Sequence, residues 1–189
     1  MINFLQAYFA KKDSNAYNVH RLDQWTSGAL LVAKNPVVVP ILSRQISQKL
    51  IQRTYLCMVE GHLKSRSGTI TLPIGLDPHD QRKRQINGPG AQPATTHYQV
   101  VREFAERSLL LVQLATGRTH QIRVHLAALG HPIVGDPLYN LLADGAPMRL
   151  HSWQVKFPLP FSQSWQTVTA PVPDYFGISL AEPDFDVGD

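Results

Sequence analysis

The chain has 189 residues, with 18 Lys+Arg against 14 Asp+Glu, a formal net charge of +4, 43% hydrophobic residues and 17% charged. This length suits one domain or two closely packed lobes that bury roughly two-thirds of the unfolded surface, and the lone Cys57 excludes a disulfide framework and any Cys-based zinc cluster. No run approaches the ~18 apolar residues of a membrane helix, and Met1-Ile-Asn-Phe lacks the basic-then-apolar order of a secretion signal, so the expectation is a soluble, cytoplasmic protein whose slight positive excess is compatible with a polyanionic partner.

In chain order, residues 5–12 have helical spacing and end in two lysines, which suit a helix C-terminus. Residues 29–34 read as a buried strand. After Pro36, a good first helical residue, Val39, Leu42, Ile46 and Leu50 recur at three- and four-residue spacing, predicting an amphipathic helix that feeds a strand over 54–59. β-Branched and aliphatic clusters predict strands over 68–73, 95–101 and 109–114. The polar stretch 77–90, with Arg82, Lys83 and Arg84, reads as an exposed loop or loose hairpin. A second helix over 119–129 would bury Ile122, Leu126 and Leu129. Strands over 155–159 and 166–169 close the fold before a Pro- and Asp-rich tail expected to be flexible. The class is α+β, with a mixed, mainly antiparallel sheet flanked by helices. The expected division is a catalytic domain over 1–175 and a tail over 176–189.

Two segments concentrate polar groups at strand entrances, where scaffolds display reactive side chains. One is His20-Arg-Leu-Asp-Gln-Trp-Thr-Ser-Gly28, the other Ala115-Thr-Gly-Arg-Thr-His-Gln-Ile-Arg-Val-His125. A helix starting near Thr119 puts His120 and Arg123 on one face. A largely buried arginine needs a carboxylate, and Asp23 is the partner expected for Arg123. By default, an Arg and an Asp two positions apart form a surface ion pair, and Tyr55 on a strand is a core aromatic. His120 and His125 are five apart without a His-Glu-x-x-His pattern, which argues against zinc. Gly88-Pro-Gly-Ala is no dinucleotide loop.

Three blocks carry a resemblance to a known family: His20 through Asn35, Arg53-Thr-Tyr-Leu-Cys-Met-Val-Glu-Gly61, and Thr116 through Tyr139. Weaker similarity runs through Pro93-Ala-Thr-Thr-His-Tyr98 and Arg149-Leu-His-Ser-Trp153. The sequence resembles the RluA-type RNA pseudouridine synthases over nearly its whole length. That resemblance implies a pseudouridine synthase-like fold with a central active-site cleft. It makes Asp23 the catalytic aspartate, Tyr55 the aromatic packed against the target uracil, and Arg123 the ionic partner of Asp23. Arg21 would enter the RNA stack where the uridine has left, with His20, Arg118 and His120 also on the RNA. The implied partner is rRNA or tRNA, with no cofactor and no metal, and the protein would act as a monomer or weak dimer. Basic residues over 64–66 and 82–84 read first as solvated faces and second as phosphate contacts. The family's upstream apolar strand and Lys-Pro turn are not found before Met1-Ile-Asn-Phe, so the chain reads as shortened. The rival reading is a relative that binds RNA without catalysing.

Overall fold

The computed structural model describes residues 15–143 and 145–178, together with Ala7 and Phe9. Most of the helix expected over 5–12, and the tail from 179 onward, lie outside the described residues. Strand β1 (Tyr17–Asn18) pairs with β3 (Val32–Ala33), and between them β2 (Ser27–Gly28) lies parallel to β10 (Leu150–Pro158). Helix α1 (Val39–Ser47) follows a single 3-10 turn in which the Asn35 side chain accepts the Val37 amide at 3.0 Å. The main sheet is built from β4 (Gln52–Glu60), β5 (Ser67–Ile70), β8 (Thr96–Glu103), β9 (Arg107–Leu114), β10 and β11 (Trp165–Thr169). Its order is β11-β10-β4-β9-β8-β5, antiparallel throughout except where β2 joins β10. Strands β6 (Ile74–Leu76) and β7 (Arg84–Ile86) form a separate hairpin, and helix α2 (Gln121–Ala128) packs beside it.

Strand β4 is the centre of the core because both of its faces are covered. Tyr55, Cys57 and Val59 join Leu110, Val112, Ile122 and Leu126 in one apolar cluster. The alternate residues Leu56 and Met58 join Leu109, Leu111, Trp153 and Phe176 in another. A strand buried on both faces reads as a near-continuous apolar run, which is why Tyr-Leu-Cys-Met-Val was legible as one. A third cluster seats Leu42 of α1 against Ala33, Ile51 and Val155.

Three expectations change. The strand expected over 29–34 shrinks to Val32–Ala33, because the chain leaves β10 immediately after Gly28 to reach β1. Leu129 is exposed, because α2 ends at Ala128 and Gly130 turns the chain at φ +85°. Arg82 is the solvated residue first expected, its exposed side chain reaching Asp80 at 2.7 Å. Finally, Phe176 does not belong to a tail. It is 1% exposed and lies edge-on to His151, so the packed unit extends past residue 175.

Removing a buried aromatic loses its transfer free energy and leaves a cavity, together about 3–5 kcal/mol. Phe176→Ala is therefore expected to lower unfolding stability by that amount in a urea titration, and a loss below about 1 kcal/mol would contradict its core role.

Candidate active site

Asp23 sits in a tight turn closed by the Thr26 amide donating to the Asp23 carbonyl at 3.1 Å. The next residues moor that turn to β10. The Ala29 amide donates to the Ser152 carbonyl at 2.8 Å. A Cβ on Gly28 would lie 2.2 Å from that same carbonyl oxygen, and Gly28 has φ +105°, so only glycine fits. The Ser27 hydroxyl accepts from the Tyr175 hydroxyl at 3.0 Å and meets His151 Nδ1 at 2.8 Å. His151 Nε2 faces the Ala170 carbonyl, which can only accept, so in the neutral ring that burial favours Nδ1 is the acceptor and the Ser27 hydroxyl donates to it.

Arg123 projects from α2 with its side chain wholly buried. Its Nε and Nη2 donate to the two carboxylate oxygens of Asp136 at 2.7 and 2.8 Å, a bidentate pair. Asp136 also accepts the Leu138 and Tyr139 amides, so its charge is well satisfied. The remaining nitrogen, Nη1, makes no hydrogen bond and faces Asp23 at 3.5 Å. The carboxylate expected for Arg123 is therefore one of two, and Asp136 is the closer. Trp25 and Tyr139 flank the guanidinium at 5.6 and 5.0 Å from their ring centroids, favourable cation–π placements. Arg123 is thereby shared between two carboxylates, gripped by Asp136 and facing Asp23.

These groups open on a cavity of about 320 Å³. Its lining brings together Arg21, Asp23, Tyr55, Arg118, His120 and Arg123, six of the seven site residues expected from sequence. Tyr55 is 5% exposed and burial pushes its phenol pKa up, so the ring presents as neutral. The seventh, His20, lines a neighbouring groove instead. Its Nε2 accepts the Leu31 amide at 3.0 Å, and burial, then the Arg53 charge, press its pKa down to about 4. It braces the loop that carries Asp23.

His120 has a left-handed backbone, φ +58°, at the head of α2, a conformation that is strained in any residue but glycine. Its Nδ1 meets the Tyr139 hydroxyl at 2.9 Å, and that oxygen accepts the Arg84 amide at 2.8 Å. Burial lowers the pKa of His120.

A second set of bonds shapes the cavity wall and was not legible as such in the sequence. Gln121 Oε1 accepts from the Thr116 hydroxyl and the Arg118 amide at 2.8 and 2.9 Å, while its Nε2 donates to the Thr95 carbonyl and Thr96 Oγ1, each at 2.9 Å. Thr96 Oγ1 meets His125 Nδ1 at 2.9 Å, and His125 Nε2 donates to the Leu72 carbonyl at 2.9 Å. Sequence reasoning missed Asp136, Gln121 and Tyr139 as site builders, though all three lie in the quoted third block. It also missed Arg53, which lines the cavity beside Tyr55.

Residues 3–128 match the model of the RNA pseudouridylate synthase family. The chain belongs to that family. It is 44% identical over 162 residues to YhcT of Bacillus subtilis (strain 168), an uncharacterized RNA pseudouridine synthase, covering 82% of this chain and 52% of the relative. It is 40% identical over 166 residues to the ribosomal large subunit pseudouridine synthase D of Nitrosomonas europaea, covering 82% and 48%. The chain thus spans about half the length of these curated relatives. Among solved structures, human RNA pseudouridylate synthase domain containing 1 superposes with a TM-score of 0.75 at 30% identity, over 83% of this chain and 69% of that one. Human RNA pseudouridylate synthase domain containing 4 shares the fold, with a TM-score of 0.73 at 22% identity, over 92% and 77%. The mixed, mainly antiparallel sheet expected of this family is the one observed.

Asp136→Asn keeps an acceptor for the Leu138 and Tyr139 amides but strands the buried Arg123 charge. It is expected to cost about 3–5 kcal/mol of unfolding stability, and a change under about 1 kcal/mol in urea would refute the anchoring role.

Because the folded pKa of His20 lies below the unfolded value of 6.5, protonation favours unfolding. Its contribution is fully present above about pH 6.5 and is lost as pH falls toward about 4. His20→Asn retains an acceptor for Leu31 and does not titrate, so its melting temperature should fall less than that of the parent across this window. Parallel curves would overturn the assignment.

Proposed function

We propose that the chain isomerises uridines in structured rRNA or tRNA to pseudouridine, with Asp23 as the reacting carboxylate. The observation that carries this reading is the single spare nitrogen of a doubly anchored, buried Arg123 facing Asp23 in a cavity that Tyr55 also lines. A uridine within a stem or loop must leave its stack before its glycosidic bond is accessible, at a cost of a few kcal/mol. Arg21, exposed at the cavity rim, is a planar cation able to fill the gap. Arg118, exposed and lining the same cavity, offers a charge for a phosphate.

Once the nucleotide is seated, the bond from C1′ to N1 breaks, the uracil turns, and C1′ joins C5. The proton lost from C5 balances the one gained at N1, so no redox partner or group donor is consumed. Asp23 serves either by attacking C1′ or by removing the 2′ proton to form a glycal. The neutral Tyr55 ring offers a flat apolar face with a polar tip, so the detached base can turn while remaining covered.

The test is incubation of the chain, and of Asp23→Asn, with total RNA from cells lacking the protein, followed by chemical tagging and mapping of pseudouridine. New sites are expected with the parent chain, and the nearly isosteric variant should fold and bind RNA while losing roughly 10³-fold or more in rate. Turnover by Asp23→Asn close to that of the parent would sink the assignment.

A further inference from the structure

Beside the catalytic cavity lies a larger groove of about 1040 Å³. The two share Arg21, Arg53, Leu114, Gly117 and Arg118. The groove is lined by five fixed cations, Arg21, Lys49, Arg53, Arg118 and Lys156, and by no carboxylate. Among the described residues, none of these five is in an ion pair, whereas Arg82, Arg107 and Arg123 are.

The sheet supplies a second, independent feature. Thr169, Gln154, Thr54, Gln113, His97 and Thr69 stand directly opposite one another on six successive strands, from β11 to β5. Opposed residues project to one face, so a row of hydrogen-bonding side chains crosses the whole sheet, on the face opposite Tyr55. Four of the six, Gln154, Thr54, Gln113 and His97, line the groove. Arg53 and Leu114 lie on the catalytic side, and the groove passes the first residues of β4 and the last of β9 to reach this row.

Lys49 adds a third. It follows α1 with φ +61°, a position glycine takes without strain, and as a lysine it gives the groove a charge at its rim. Lys156, opposite Gln52 in the register of β10 and β4, also lines the groove, and its Nζ lies 6.0 Å from the centroid of the half-exposed Trp165 ring.

We propose that this groove carries the single RNA strand continuous with the target nucleotide, its phosphates set by Lys49, Arg118 and Lys156 and its 2′-hydroxyls and base edges met by the polar row. The inference rests on the RNA-modifying reading of the adjoining cavity. A strand whose nucleotide enters that cavity must leave it through an opening, and this groove is continuous with it through five shared lining residues. Cations free of carboxylates suit a polyanion, and Gln, Thr and His side chains both donate and accept, as a ribose hydroxyl does.

The probe is a fluorescein-labelled oligouridylate of about a dozen nucleotides, titrated against the full chain by anisotropy at several salt concentrations. Lys49→Gln and Lys156→Gln should each weaken binding several-fold and reduce the slope of log affinity against log salt by about 0.7. Arg102→Gln, at the far end of β8, should change neither. A 4-thiouridine version should photo-crosslink to peptides spanning 47–54 or 154–167. Groove variants that bind with the parent's affinity and slope, an absence of oligouridylate binding, or crosslinks confined to other peptides would each overturn the proposal. So would polyglutamate binding as tightly with the same dependence on both lysines, which would mark an acidic protein site. Pseudouridine formation with unaltered groove variants would sink the groove alone, whereas groove-dependent RNA binding without pseudouridine would sink the catalytic reading alone.

Discussion

Arg123 is a charge taken wholly out of water, and the active end of the molecule is arranged around keeping it satisfied. An unpaired guanidinium at that depth would cost several kcal/mol. Asp136 meets the need with two parallel hydrogen bonds and is itself held by two backbone amides. This fixes the fork so that the third nitrogen has one direction left, toward Asp23. The orientation of that last contact is thus a consequence of the first. Trp25 and Tyr139 complete the enclosure, and Tyr139 in turn ties His120 to the Arg84 amide.

Asp23 arrives at this point from a different part of the chain, on a turn with little regular structure of its own. Its position comes from mooring: Gly28 and Ala29 against the Ser152 carbonyl, Ser27 against His151 and Tyr175. Ser27 and Gly28 are explained by their pairing with β10, while Thr26 closes the turn that carries Asp23. The short Arg149-Leu-His-Ser-Trp153 block is the other half of the same joint. A site assembled this way places a carboxylate from one loop against a cation from one helix, with β4 and β9 as the rigid floor beneath both.

Legibility followed the range of the interactions. β4 and β9 were readable because two-sided burial leaves an apolar run, and α1 because Pro36 and the spacing of Val39, Leu42 and Ile46 are local signals. The end of α2 was misjudged because Leu129 continues the apolar pattern while Gly130 stops the helix. Asp23, Tyr55 and Arg123 were picked out by resemblance. Asp136 was passed over because it lies in a turn thirteen residues from its partner, where an Asp before Pro reads as turn chemistry. Likewise, Phe176 sits in a Pro-rich stretch that has the composition of a tail, and only its burial against Trp153 and His151 shows otherwise.

The sequence by itself determined the class of fold, the central strands and helices α1 and α2, because each rests on neighbours within a few residues. Tertiary structure alone decided which carboxylate holds Arg123 and which merely faces it. It also joined Ser27 to His151 across 124 residues, and gathered Lys49, Arg118 and Lys156 along one groove. Those outcomes depend on strand order and on one-residue register, which set the pairing of side chains far apart in the chain and leave no periodic trace in it.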